Sequence, residues 1–160
     1  MGMENQAKAA IRRDDFIALL DEHMPQVRQG GLSVRAMERG LCTMVATPQP
    51  DMVRAGGTLS GPTMFALADV ALYGAVLSMI GPEPLAVTSN MTITFLRKPP
   101  IRPLVAEARI LKLGRKLAYG EVLIHSEGEG EEAGELVAHA TGNYAIPSTL
   151  SAEKEKMERA

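Results

Sequence analysis

The chain has 160 residues, 46% of them apolar and 22% charged, which suits one soluble domain and excludes a disordered segment. Seventeen basic against nineteen acidic residues leave a formal charge of −2, so nothing in the charge balance recruits nucleic acid or an anionic membrane. The single cysteine, Cys42, excludes an internal disulfide and a CxxC metal knuckle, and ten Met with no Trp predict a core of small, adaptable side chains without base- or sugar-stacking platforms.

At this length a core buries roughly 70% of the unfolded surface, so no metal or disulfide is needed for stability. The N-terminus, MGMENQAKAAIRRDD, is charged and lacks the apolar run of a signal peptide, and a cytoplasmic protein is expected. Asp14 or Asp15 is expected to cap a short helix with Phe16, Leu19, Leu20 and Met24 on its apolar face, ending before Pro25. Residues 31–38 and 41–47 read as a strand pair turning near Arg39 and Gly40. The proline- and glycine-rich stretch 48–57 reads as a loop.

Residues 62–80 form the central element, a helix with Pro62 at its first position and Gly81-Pro82 just past its end. Apolar residues surround it, so it should be buried on most sides. Its length approaches that of a membrane span, but Asp69 at the centre and polar strand-rich flanks favour a soluble core helix. Residues 86–96 alternate, with Val87, Met91, Ile93 and Phe95 on one face and Thr88, Asn90, Thr92 and Thr94 on the other. Strands over 104–113 and 117–125 flank a tight turn, Gly114-Arg115-Lys116, and a strand over 136–146 closes the sheet. Residues 127–134 read as a solvated acidic turn. The expected organisation is a helical extension over 1–28, the main domain over 29–147 and a charged tail over 148–160. The fold class is α+β, one long helix embraced by an antiparallel sheet of five or six strands.

Asp69 is the most informative residue. A carboxylate in the middle of a buried helix, with no adjacent Lys or Arg, is costly unless it is hydrogen-bonded or faces a cavity. Both a structural hydrogen-bonding role and a catalytic role fit its position. Ser60-Gly61-Pro62-Thr63 sits at the helix N-terminus, where orphan amides and the helix dipole can hold an anion or a developing oxyanion. Plain capping by Ser60 accounts for the same residues. Eight residues separate Gly61 from Asp69, roughly 12 Å along a helix. A reacting carbonyl must lie about 3 Å from both its oxyanion donor and its attacking group. The two residues can therefore act together only if two helices of a twofold dimer each lend their N-terminus to the other's Asp69.

The run GGTLSGPTMFALADVALYGAVLSMIGPEPLAVTSNMTITFLRKPP resembles the hotdog-fold acyl-CoA thioesterases of the phenylacetate-degradation (PaaI-like) type. The resemblance covers residues 41–146 and is carried by Ser60-Gly61-Pro62, Leu67-Ala68-Asp69 and Val87-Thr88 through Pro99. It implies a hotdog fold, a homodimer or a dimer of dimers, and hydrolysis of acyl-CoA with no metal or redox cofactor, coenzyme A entering only as part of the substrate. Residue by residue, it implies that Asp69 is the nucleophile or the general base for water. It further implies that the Gly61 N–H polarises the thioester carbonyl from the opposite subunit, and that Thr88 is a hydroxyl near the carboxylate able to orient water. Arg97-Lys98 and Gly114-Arg115-Lys116 are implied as edges meeting the CoA phosphates, with Ser60 and Thr63 beside the substrate. The chain departs from the family pattern at three places: Ser60 replaces a histidine, Pro62 replaces a glycine and brings no N–H, and Arg54 stands where an asparagine is usual. Arg54 could pair with Asp69 across the dimer or bind a substrate carboxylate. The departures point to weak activity, to an unusual acyl group or to binding without turnover.

Three other classes compete. A binding module of the same fold retains acyl-CoA without cleaving it; a hydratase or dehydratase needs a histidine beside the acid; a purely structural dimerisation domain has no affinity for CoA. His23, His125 and His139 are scattered, without triad or zinc-ligand spacing. Cys42, among apolar strand residues, reads as buried filler.

Overall fold

The computed structural model describes residues 8–128, 134–148, 157 and 159. Most of the acidic turn and most of the C-terminal tail lie outside these residues. Two helices open the described chain, α1 (Arg13–His23) and α2 (Gln26–Gln29). The expected aspartate cap is not what starts α1: Arg12 holds the cap position without a side-chain cap bond. Asp15 instead pairs with the Arg12 guanidinium at 2.8 Å, and Asp14 with that of Arg13 at 3.2 Å. First-turn carboxylates serve the helix dipole from there as well. Phe16, Leu19 and Leu20 are buried, as the periodicity predicts.

The main sheet has six antiparallel strands in the order β1 (Leu32–Glu38), β2 (Leu41–Ala46), β6 (Leu104–Leu113), β7 (Leu117–Ser126), β8 (Leu136–Ala145) and β5 (Val87–Phe95). The stretch 48–57 is more ordered than a plain loop. It holds a 3-10 turn (Pro50–Met52) and strand β3 (Val53–Arg54), which pairs with β4 (Thr58–Leu59) in a small ribbon. Gly56 and Gly57, at φ 93° and 73°, make the turn between them.

Helix α3 (Gly61–Ile80) packs against one face of the main sheet, and every residue from Ala71 to Ser78 is buried. It is long and apolar enough to cross a membrane, yet most of it is covered by this protein's own sheet, which makes it a core helix. The helix starts one residue earlier than expected, so Pro62 follows the first position. Close contact with the sheet depends on Gly120 and Gly142. A Cβ at Gly120 would sit 2.5 Å from a Leu72 methyl and 2.7 Å from the Arg109 carbonyl oxygen. Leu72, fully buried, fills the space those glycines leave.

Strand β5 is an edge strand with an irregularity between Thr88 and Asn90. Residues directly opposite in an antiparallel pair share a face. Thr88 opposes Tyr144 while Met91 opposes Gly142, so Thr88, Met91 and Ile93 point inward together. Strict alternation is therefore corrected here: Thr88 does not share the face of Asn90, Thr92 and Thr94, and Val87, opposite Ala145, points outward.

Candidate active site

One stripe of α3 is not covered by the sheet. Phe65 is 39% exposed, Ala66 is exposed, and Asp69 and Val70 are half-buried. Spacings of three and four place these residues on one helical face. Asp69 thus lies in the middle of the core helix but at the boundary of the packed core. Thr88 Oγ1 donates to Asp69 Oδ1 at 2.6 Å, and the Tyr144 hydroxyl lies 2.6 Å from the same oxygen and 2.8 Å from the Asp69 carbonyl. Oδ2 has no donor among the described residues. The bulge turns Thr88 inward, an arrangement common beside functional sites. Burial, and then the charge of Asp69, pushes the Tyr144 phenol well above its ordinary range, so it remains a donor. Met24, Tyr73, Ala86 and Val87 join these residues around a cleft of about 130 Å³.

A second cleft, about 490 Å³, opens at the start of α3, where Gly61 meets Arg54, Phe95, Arg97 and Lys98. Ser60 caps the helix, its Oγ accepting from the Thr63 amide at 3.3 Å and lying 2.9 Å from Thr63 Oγ1. The Met64 amide bonds the Ser60 carbonyl, and Pro62 has no N–H. The Gly61 amide is left as the first-turn donor without a partner among the described residues. The Phe95 ring packs against the Gly61 Cα, where a Cβ would stand 3.2 Å from the ring. Arg97 donates to the Leu136 carbonyl at 2.8 Å from an exposed position.

The structure brings Asp69 and Thr88 together, and separately Gly61, Arg54, Arg97 and Lys98. The two clefts share no lining residue. The turn Gly114-Arg115-Lys116 belongs to the Asp69 end: Leu117 and Val87 both pair with Ala145, and the Ile146 amide bonds the Lys116 carbonyl. Arg97 and Lys98 follow the opposite end of β5. Ser60 and Thr63 spend their hydroxyls on the cap, and Arg54 is not beside Asp69 of its own chain. Tyr144 is absent from the sequence-based expectations, although the inward period of β8 (Ala138, Ala140, Gly142, Tyr144) carries a signal for it, and Phe95 is expected there only as one face of a strand.

The remaining candidates lie elsewhere. Cys42 is 1% exposed, and burial pushes its thiol up to about 12. His139 lies 3.2 Å from Glu121, which also pairs with Arg109 at 2.7 Å, on the outer face of the sheet. Among the described residues no group of three His, Cys, Asp or Glu side chains could hold a metal ion.

Comparison with known proteins bears on this arrangement. The model of the thioesterase superfamily matches residues 56–133. A crystal structure of a "putative thioesterase" from Silicibacter sp. TM1040 is 45% identical, with a TM-score of 0.76 over 89% of this chain and 96% of that one. A variant of the phenylacetic acid degradation protein PaaI from Thermus thermophilus is 27% identical, with a TM-score of 0.67 over 77% of this chain and 99% of that one. A "putative esterase" from Sulfurisphaera tokodaii is 29% identical over 112 residues, 70% of this chain and 83% of that protein. With one long helix crossing a six-stranded antiparallel sheet, and with these relatives, the chain belongs to the PaaI-like hotdog-fold proteins of the thioesterase superfamily, whose general chemistry is thioester hydrolysis.

Proposed function

We propose that the protein hydrolyses an acyl-CoA thioester to the free acid and CoA, at two equivalent sites shared between the subunits of a homodimer. The observation that carries this reading is the Asp69 carboxylate, anchored through Oδ1 by two hydroxyls while Oδ2 is left for chemistry. Oδ2 either takes a proton from water as that water attacks the thioester carbonyl, or attacks the carbonyl itself. In either route the carbonyl oxygen gains negative charge and the C–S bond breaks. The CoA sulfur takes the proton held by Asp69 in the first route and a solvent proton in the second, whose Asp69–acyl anhydride is then hydrolysed by water to the free acid. The partner subunit's Gly61 amide and helix dipole stabilise the oxyanion, a contact worth about 3 kcal/mol on the barrier.

A dimer is favoured by the separation of the clefts and by what one chain leaves uncovered. Edge strand β5 exposes Val87 (59%), Phe95 (49%) and nearby Leu96 (47%), beside exposed Phe65 on α3. A second copy on this face, related by a twofold axis, would set its Gly61 end against this chain's Asp69 end. It would also bring its Arg54, Arg97 and Lys98 near the 114–116 turn, a basic rim suited to CoA phosphates. Pairing of two such dimers and a cytoplasmic location remain expectations of the same reading.

A second reading, CoA-ester binding without hydrolysis, is favoured by one specific observation: Pro62 and the Ser60–Thr63 cap leave the helix start with a single available amide. A thiol-release assay over short, medium, long and aromatic CoA esters separates the two. Release that disappears in Asp69→Asn supports hydrolysis; calorimetric binding of the esters with no release from the native protein supports the binding module.

A further inference from the structure

We infer that Tyr144 is a positioning residue for Asp69, itself held by a stack of aromatic rings that reaches into the N-terminal helix. This rests on the reading of Asp69 as the reacting group. Thr88 and Tyr144 are direct partners across β5 and β8, so one rung of the sheet supplies both hydroxyls to Oδ1. Rotation of the carboxylate would break both bonds at once. Oδ2 is thereby fixed as the oxygen presented to water or thioester.

The Tyr144 ring is 4% exposed and stacks on Tyr73, centroids 5.7 Å apart and planes 17° from parallel. Tyr73 in turn takes the edge of Phe16 at 5.8 Å and 64°. Phe16 is on α1, so a helix outside the sheet helps set where the carboxylate points. Three aromatics in a chain with only three Phe and three Tyr are thus concentrated behind one acid. A hydroxyl serving only the packing would need a single acceptor, and the Asp69 backbone carbonyl already provides one.

Tyr144→Phe removes the hydroxyl and keeps the stack. With the best CoA ester, kcat is expected to fall on the order of tenfold, the size of one lost hydrogen bond to a charged group, with KM changed less than twofold. Wild-type kcat, or a loss carried by KM with kcat unchanged, overturns the inference. If Tyr144→Phe does not fold, Phe16→Leu, which loosens the stack from outside, is expected to lower kcat two- to threefold at unchanged KM, and wild-type kcat there overturns it. Asp69→Asn in the same assay separates the two claims. An inactive Asp69→Asn beside a wild-type-like Tyr144→Phe sinks this inference alone, whereas a fully active Asp69→Asn, or no thiol release from the native protein, sinks both.

Discussion

Replacing Asp69 by asparagine is expected to remove turnover while the protein stays folded, and the hydrogen bonds around the residue say by how much. Asparagine keeps an Oδ1 that can accept from both Thr88 and Tyr144, each at 2.6 Å in the native protein. What it loses is the second oxygen and the negative charge. Hydrogen bonds to a charged acceptor contribute about 1 kcal/mol more than neutral ones, so two of them weaken by about 2 kcal/mol in total. Relief from holding a charge in a half-buried helix offsets much of this, and the net change in stability should be within about 1 kcal/mol. An amide cannot accept the proton of water, and loss of a general base costs 10² to 10⁴ in rate, about 3 to 5 kcal/mol. Asp69→Ala is the contrasting case. It orphans the Thr88 hydroxyl, for about 1 to 3 kcal/mol, while the Tyr144 hydroxyl keeps the backbone carbonyl 2.8 Å away. The assay is thiol release at saturating CoA ester beside thermal denaturation of all three proteins. Turnover by Asp69→Asn within tenfold of native would refute the assignment, and unfolding of the variant would refute the stability reasoning.

Gly61→Pro removes the free first-turn amide at a helical position that tolerates proline, with the half-exposed Phe95 ring shifting by a few tenths of an ångström to admit the new Cβ, and kcat should fall 10² to 10³-fold with the dimer intact. Gly61→Pro and Asp69→Asn chains, each inactive alone, should recover about one quarter of native activity when unfolded together and refolded as mixed dimers, because half the dimers then hold one intact site; no recovery argues against a shared site. The Cys42 thiol, sealed in the core and pushed up to about 12, should resist a disulfide reagent at pH 8 until the protein is denatured, and stoichiometric reaction of the native protein would contradict that packing. The hydrogen bond from His139, then that from Arg109, holds the Glu121 carboxyl below its usual range. Its stabilising effect is therefore complete above the ordinary carboxylate range and is lost as pH falls through the lowered folded value. The melting temperature of the native protein should converge on that of Glu121→Gln as pH drops from about 5 to about 3, and a constant gap would count against the cluster.

The elements that follow from sequence are those whose residues repeat with one period. The apolar run of α3 and the strands β6, β7 and β8 stand out because each buries a whole face or circumference. Asp69 stands out because a lone acid in such a helix is costly. Less regular features do not. Alternation assigns Thr88 to the wrong face, because a single extra residue between Thr88 and Asn90 reverses everything before it, and a bulge leaves no mark in composition. The contact between Thr88 and Asp69 follows from the family resemblance and not from the strand pattern. Tyr144 lies 75 residues from Asp69 in the chain, and only the pairing of β5 with β8 brings them together. The ribbon over 53–59 is held by backbone bonds at two register positions, too few to impose a period.

Two independent lengths bear on whether one chain can suffice. Along α3, Gly61 and Asp69 are roughly 12 Å apart by helical rise. Along β5, eight steps separate Val87, beside the Asp69 cleft, from Phe95, beside the Gly61 cleft, roughly 26 Å at the rise of a strand. No side-chain rearrangement closes either gap, since both are backbone separations and the one irregularity in β5, between Thr88 and Asn90, alters its length by only about one residue. Antiparallel apposition of two copies at β5 cancels both offsets at once, setting Phe95 of one chain opposite the Val87 end of the other. The same operation covers the exposed apolar residues Phe65, Val87, Phe95 and Leu96. A monomer that cleaved CoA esters at native rates, held dilute enough to be monomeric by sedimentation, would break this argument at its geometric root.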